Sequence, residues 1–288
     1  MIAQKRKKVI GSVMKYLKNV FQTVLLFMDK LKRDRIDAYS AQSAFYVLMG
    51  FIPFAMLLLN LLQYTPLKQN DMMSLLLSIL PETFMDLVND VVNSLYIKSS
   101  SLISGSAVAA IWACGKSVLA ITNGLNSVHG LMETRNYIFM RLRSAIYILA
   151  LMVSIILSMG LLVFGNQLHD FLLAHIPFLE RISGMLISLR TVATILILTM
   201  IFTAMYIVLP NEKRRFFAQI PGAVFAALAW CVFSYGFSIY IKHVPNMASI
   251  YGGLTTLVML MLWLYFCMWL LFLGAEINCY LEEPERFR

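Results

Sequence analysis

The chain has 288 residues, 60% hydrophobic and 14% charged, with a formal net charge of +9 and a mean hydropathy of +0.74. A soluble domain carries roughly 25% charged residues, so a large soluble core is excluded and the long apolar runs read as a polytopic membrane protein. Ten of the 24 Lys and Arg lie between Lys5 and Arg35, beside the first apolar run, which points to anionic lipid headgroups at the cytoplasmic face and not to nucleic acid.

The amino-terminal stretch is basic but has no sufficient apolar run and no small-residue cleavage site, so no cleavable leader is expected. From Tyr16 to Leu31, the residues Leu17, Val20, Phe21, Val24, Leu25, Met28 and Leu31 recur at helical spacing. Lys15, Lys18, Asn19, Gln22 and Lys30 take other faces. This predicts an amphipathic helix that lies along the inner leaflet or packs on the spans, and the two readings are compatible. The cytoplasmic segment is 1–37, the membrane domain 38–280 and a short cytoplasmic tail 281–288.

Six runs are long enough to cross about 30 Å of hydrocarbon, near 43–64, 102–123, 139–164, 187–209, 217–240 and 252–274. The first contains Pro53, which removes a backbone donor and should kink the helix. Between the first two spans, residues 65–101 form an external loop with two short amphipathic helices, the second opened by Pro81 at a helix start. The second span carries Lys116 in a small-residue run, the fourth begins near Arg190, and the fifth opens with Pro221 and Gly222. The sixth opens with Gly252 and Gly253 and ends near Glu276 and Asn278. Pro53, Pro221, Gly222, Gly252 and Gly253 are the candidate hinges.

With the amino terminus inside, eighteen Lys and Arg fall on the cytoplasmic side and four or five outside. The positive-inside bias therefore predicts both termini in the cytoplasm. The fold class is all-α: a six-span bundle in the cytoplasmic membrane with interfacial amphipathic helices.

Hydrolase chemistry has no foothold, because there is no nucleophile elbow, no zinc-protease helix, no phosphate loop and no metal cluster. His129, His169, His175 and His243 are scattered over different loops and read as solvated. No enzyme activity, cofactor or metal is expected. Cys114, Cys231, Cys267 and Cys279 read as small core hydrophobes. The sharper pointers are the ionisable groups within or beside spans, which are expensive there and tend to face the bundle interior. These are Lys116, Arg190 and Glu276. Lys116 is read as five to seven residues from its cytoplasmic end, level with Glu276, so a Lys116–Glu276 ion pair is geometrically possible. Snorkelling to water is the bland alternative for all three, and contact with a substrate the sharper one.

The stretch "DAYSAQSAFYVLMGFIPFAMLLL" resembles the opening motif of the YihY/BrkB membrane proteins, and "VLPNEKRRFFAQIPGAVFAALAW" their fourth-loop signature. "YGGLTTLVMLMLWLYFCMWLLFLGAEINCYLEE" resembles their last span, with Gly274, Ala275, Glu276 and Asn278 on its tightest motif. The resemblance covers residues 35 to 282 and implies six spans with both ends cytoplasmic. The family was once labelled a tRNA-processing ribonuclease, which this sequence argues against; other associations are with virulence and envelope lipid export. The expected function is transport or flipping of an envelope lipid or amphipathic solute, with Lys116 or Arg190 engaging an anionic headgroup and Glu276 and Asn278 holding the inner end. The alternative is a non-transporting scaffold that organises the envelope. The oligomeric state is left open.

Overall fold

The computed structural model describes residues 22–62, 100–136, 138–149, 186–243 and 254–287. Within them the chain is all-helical: α1 (22–33), α2 (Ile36–Leu62), α3 (Ser100–Val128), α4 (138–149), α5 (Leu186–Val208), α6 (Phe216–His243) and α7 (Leu254–Glu282). A short 3-10 turn, Pro284–Phe287, follows. Among the described residues, three stretches are long and apolar enough to cross a membrane: Val108–Val128, Phe216–Ile241 and Leu254–Glu282. The expected external loop through residue 99, the far half of the expected third span, Gly252 and Gly253 lie outside the described residues.

Two helices run well past the ends that hydropathy suggests. α3 continues to Val128 and not 123, and α7 to Glu282 and not 274. The apolar run stops at Asn123 in one and Glu276 in the other, but those positions are wholly or partly buried. Buried polar groups that find tertiary partners let a helix continue. α2 likewise begins seven residues before the expected span. It is separated from α1 by Arg35 at φ 54°, a left-handed residue of the kind that ends helices. Helical assignment passes unbroken through Pro53 and Pro221.

α7 is the central element, packing on α6, α2 and α3, while α2 lies most extensively against α3 and α5 against α6. Half of the apolar window of α7 is buried, and Trp263, Leu264, Met268, Leu271 and Phe272 supply much of the core. Helices in lipid gain no hydrophobic drive toward one another, so close approach at small residues matters. Gly274 of α7 meets Gly222 of α6 so closely that a Cβ on Gly274 would lie 2.6 Å from the Gly222 carbonyl oxygen and 2.6 Å from Tyr206 Oη.

α1 departs from its expected polarity. Phe27 and Leu31 pack on the core while Val24, Leu25 and Met28 face outward. Lys30, expected on a polar face, is buried at 4% exposure. Its ammonium turns inward because ionic partners await it there.

Candidate functional site

The polar centre sits where α1, the end of α3 and the end of α7 converge. Lys30 Nζ donates to Glu276 Oε2 at 3.0 Å and to the Val128 carbonyl at 2.8 Å, and also pairs with Asp34 one turn along α1. The Phe287 ring covers it with its centroid 4.9 Å away, a cation–π contact. Burial acts against the ammonium, and Glu276 and Asp34 outweigh it, so the Lys30 pKa is raised. Glu276 is fully buried, so it does not snorkel. Its second oxygen, Oε1, takes no hydrogen bond among the described residues.

The Lys116–Glu276 pair that the sequence left possible is not formed: the cation on Glu276 is Lys30. The reason is the length of α3. Twelve residues separate Lys116 from Val128, about 18 Å at ~1.5 Å per residue, and Glu276 lies level with Val128. Lys116 instead sits over the Trp112 ring at 4.0 Å and the Tyr46 ring at 5.4 Å. Arg190 is on α5, with its side chain outside the described set.

The remaining residues of "GAEIN" divide structural tasks. Gly274 makes the α6 crossing. Asn278 Oδ1 accepts from the Gly222 N–H at 2.6 Å, and its Nδ2 donates to Gln219 O at 2.9 Å and Gln219 Oε1 at 3.2 Å. Pro221 interrupts the backbone donors at this point of α6, and Asn278 supplies the adjacent amide with an acceptor. Tyr206 Oη donates to Leu271 O at 2.7 Å, joining α5 to the same place.

Beyond α3, a clasp ties the two following loops together. Asn126 Oδ1 accepts from Asn211 N at 2.8 Å, and Asn126 Nδ2 donates to Glu133 at 2.8 Å. Asn211 Nδ2 donates to Met132 O at 3.0 Å. Arg135 pairs with Glu133 at 2.6 Å, and this hydrogen-bonded guanidinium holds the Glu133 carboxyl below its usual range.

His129, expected to be solvated, is 1% exposed, and neither ring nitrogen has a partner among the described residues. Burial, then the charges of Arg214, Lys30 and Arg286, push its pKa down from 6.5 to about 3. An unfolded chain binds a proton here near pH 6.5 and the folded one does not until about pH 3. Unfolding therefore takes up a proton between those values, and stability falls as pH drops below about 6.5. Acidification from pH 7 to pH 5 should cost about 2 kcal/mol through this group. The check is apparent melting temperature against pH: His129→Gln should flatten the slope, and an unchanged slope would assign it elsewhere.

A cavity of about 650 Å³ opens between α2, α3, α4 and α5, with Gly50, Phe54, Ser117, Ile121, Tyr147 and Ala204 among its walls. It is almost wholly apolar and lies apart from the Lys30–Glu276 centre. The Ser117 hydroxyl in its wall is buried and has no partner among the described residues. Sequence reasoning missed this cavity, because four separate helices build it and no one of them carries a motif for it. Lys30 was recoverable: it lies between Phe27 and Leu31 on the inward stripe, with Asp34 at i+4.

The family model of the virulence factor BrkB matches residues 27–288. A putative ribonuclease-like protein, YfkH of Bacillus subtilis (strain 168), is 30% identical over 274 residues, covering 95% of this chain and 97% of the relative. A UPF0761 membrane protein of Photobacterium profundum is 22% identical, covering 98% of this chain and 88% of its own length. One of Vibrio vulnificus (strain YJ016) is 24% identical, covering 90% and 82%. No solved structure matches.

Proposed function

The chain belongs to the virulence factor BrkB family of membrane proteins, and from that membership we propose that it binds and moves a lipid or amphipathic solute across the cytoplasmic membrane. The observation that carries the reading is the apolar cavity of about 650 Å³ that opens between α2, α3, α4 and α5. That volume is in the range of ligand sites, roughly 300–1,000 Å³. Water gains little from such a lining, and an apolar chain gains its burial. The topology proposed is six spans with both termini cytoplasmic, supported by the basic residues gathered at one side. α1 then lies in the interface, its outward Val24, Leu25 and Met28 at the acyl boundary and the exposed Lys32, Arg33 and Arg35 at anionic headgroups. The protein is taken as a non-enzyme, although the B. subtilis relative is named ribonuclease-like. The support is the lack of any hydrolase motif in the sequence.

The test is reconstitution into liposomes that hold a fluorescent lipid in both leaflets, with a membrane-impermeant quencher added outside. The wild-type chain should speed loss of inner-leaflet signal, and Ala204→Trp, which narrows the cavity, should slow it by about tenfold, a barrier of about 1.4 kcal/mol. A wild-type rate equal to that of protein-free liposomes would sink the transport reading and favour the scaffold.

A further inference from the structure

At one corner the cavity borders a separate polar recess. Val118, Tyr147 and Leu209 line both, and Thr122, Arg135, Met140, Arg143 and Ser144 complete the recess, whose volume of about 10 Å³ admits one oxygen of an oxyanion. We propose that the ligand is an anionic amphiphile, an apolar chain ended by a carboxylate or phosphate, with the chain in the cavity and the oxyanion at Arg143. This rests on the cavity being the ligand site of the preceding reading.

Three observations carry it. The first is charge. The two arginines at the recess differ: Arg135 is neutralised by Glu133 at 2.6 Å, whereas Arg143, among the described residues, bonds two neutral oxygens, the Tyr147 hydroxyl and the Val208 carbonyl. No carboxylate pairs with Arg143 among the described residues, so the corner holds an uncompensated cation. A guanidinium has five donors in a fork that matches carboxylate and phosphate.

The second is Ser117. Its hydroxyl is one residue from the shared Val118, buried, and without a partner among the described residues. A buried hydroxyl left unpaired is costly, and an ester, hydroxyl or amide oxygen just below the head of the ligand would satisfy it. The third is the rest of the lining. Apart from Ser117, Cys114, Met205 and Tyr147 the described lining offers only hydrocarbon side chains and the backbone of Gly50, so a hydrated head cannot be accommodated deeper. Chain inward, head at the corner, is the one orientation that satisfies all three.

The test uses the full chain in detergent micelles with probes that carry a mid-chain photolabel: palmitate, palmityl phosphate, palmityl alcohol and palmitylamine. Phosphatidylglycerol with the same label is a further arm. Palmitate and palmityl phosphate should label the wild type about tenfold more than the alcohol, and palmitylamine less than the alcohol. In Arg143→Gln the advantage of the anions should collapse toward onefold with alcohol labelling unchanged. Arg143→Lys should keep part of it. Phosphatidylglycerol labelling stronger than palmitate would support a bilayer source for the anion, and the reverse a dissolved amphiphile, provided either signal is lost in Arg143→Gln. An anion preference that survives Arg143→Gln, or palmitylamine labelling equal to palmitate, overturns the head site. The second comparison needs only the wild type and so stands even if the variant does not fold. Ala204→Trp should lower every probe alike. Labelling indifferent to Ala204→Trp removes the cavity as the ligand site, and with it the earlier reading, whatever Arg143 does.

Discussion

Lys30→Met should destabilise the protein by about 3–5 kcal/mol, the range for a buried ion pair stripped of one partner. The lost ammonium leaves Glu276 fully buried without its cation and the Val128 carbonyl without its donor. An isolated carboxylate in such a place is so unfavourable that it takes up a proton or draws in water. Removing both charges should therefore be milder than removing one: Lys30→Met with Glu276→Leu should recover at least about 1 kcal/mol relative to the sum of the two single changes, as coupled neighbours do. Thermal unfolding in detergent of the four proteins in this cycle measures the coupling. Strict additivity would mean that the pair does not act as a unit. Lys116→Met is the comparison, because its ammonium lies over two rings, one of them on the half-exposed Trp112. It should cost about 1 kcal/mol or less.

The second large effect is expected at the α6–α7 crossing. Helix propensity alone predicts that Gly222→Ala should stabilise α6 by up to ~1 kcal/mol. The contact predicts the reverse, because the new methyl would fall on the Gly274 carbonyl oxygen and 2.6 Å from the Asn278 side chain. Neither can yield cheaply: one is backbone, and the other is held by Gly222 and Gln219. Forcing the helices apart should cost about 3 kcal/mol and more for Gly222→Val, at or beyond the upper end for overpacking. At Gly105 and Gly236 an added methyl would meet nothing within 4 Å, so alanine there should leave melting unchanged or raise it. If alanine at Gly222, Gly274, Gly105 and Gly236 gives four proteins that melt alike, propensity governs and the crossing is looser than its geometry implies.

Much of this architecture was legible because lipid imposes simple rules on sequence. The helical class follows from apolar runs that must satisfy their own backbone. The weight of "GAEIN" was also visible, and Gly274, Glu276 and Asn278 each hold a distinct contact. What hydropathy could not show is where a helix ends when its last turns are polar yet buried. That single ambiguity hid the five residues of α3 beyond 123, about 8 Å of helix, and suggested the wrong partner for Glu276. Lys30 and His129 escaped for a related reason: a charged or polar residue next to a loop is usually solvated, and only tertiary contact reveals otherwise. The cavity lay beyond sequence because emptiness between four helices leaves no periodic mark.

The bond from Lys30 to Glu276 joins positions 246 residues apart, and this bears on how the protein is made. Chains emerge amino terminus first at roughly 5–20 residues per second. α1 is therefore finished some tens of seconds before the carboxylate that anchors it exists. Until the last helix enters the bilayer, the ammonium lacks Glu276 and is left with Asp34, the Val128 carbonyl, water or lipid phosphate. The final span thus acts as the fastener of a structure laid down almost entirely before it, and nascent chains cut short ahead of it would display a loose basic helix that quality-control proteases can grip.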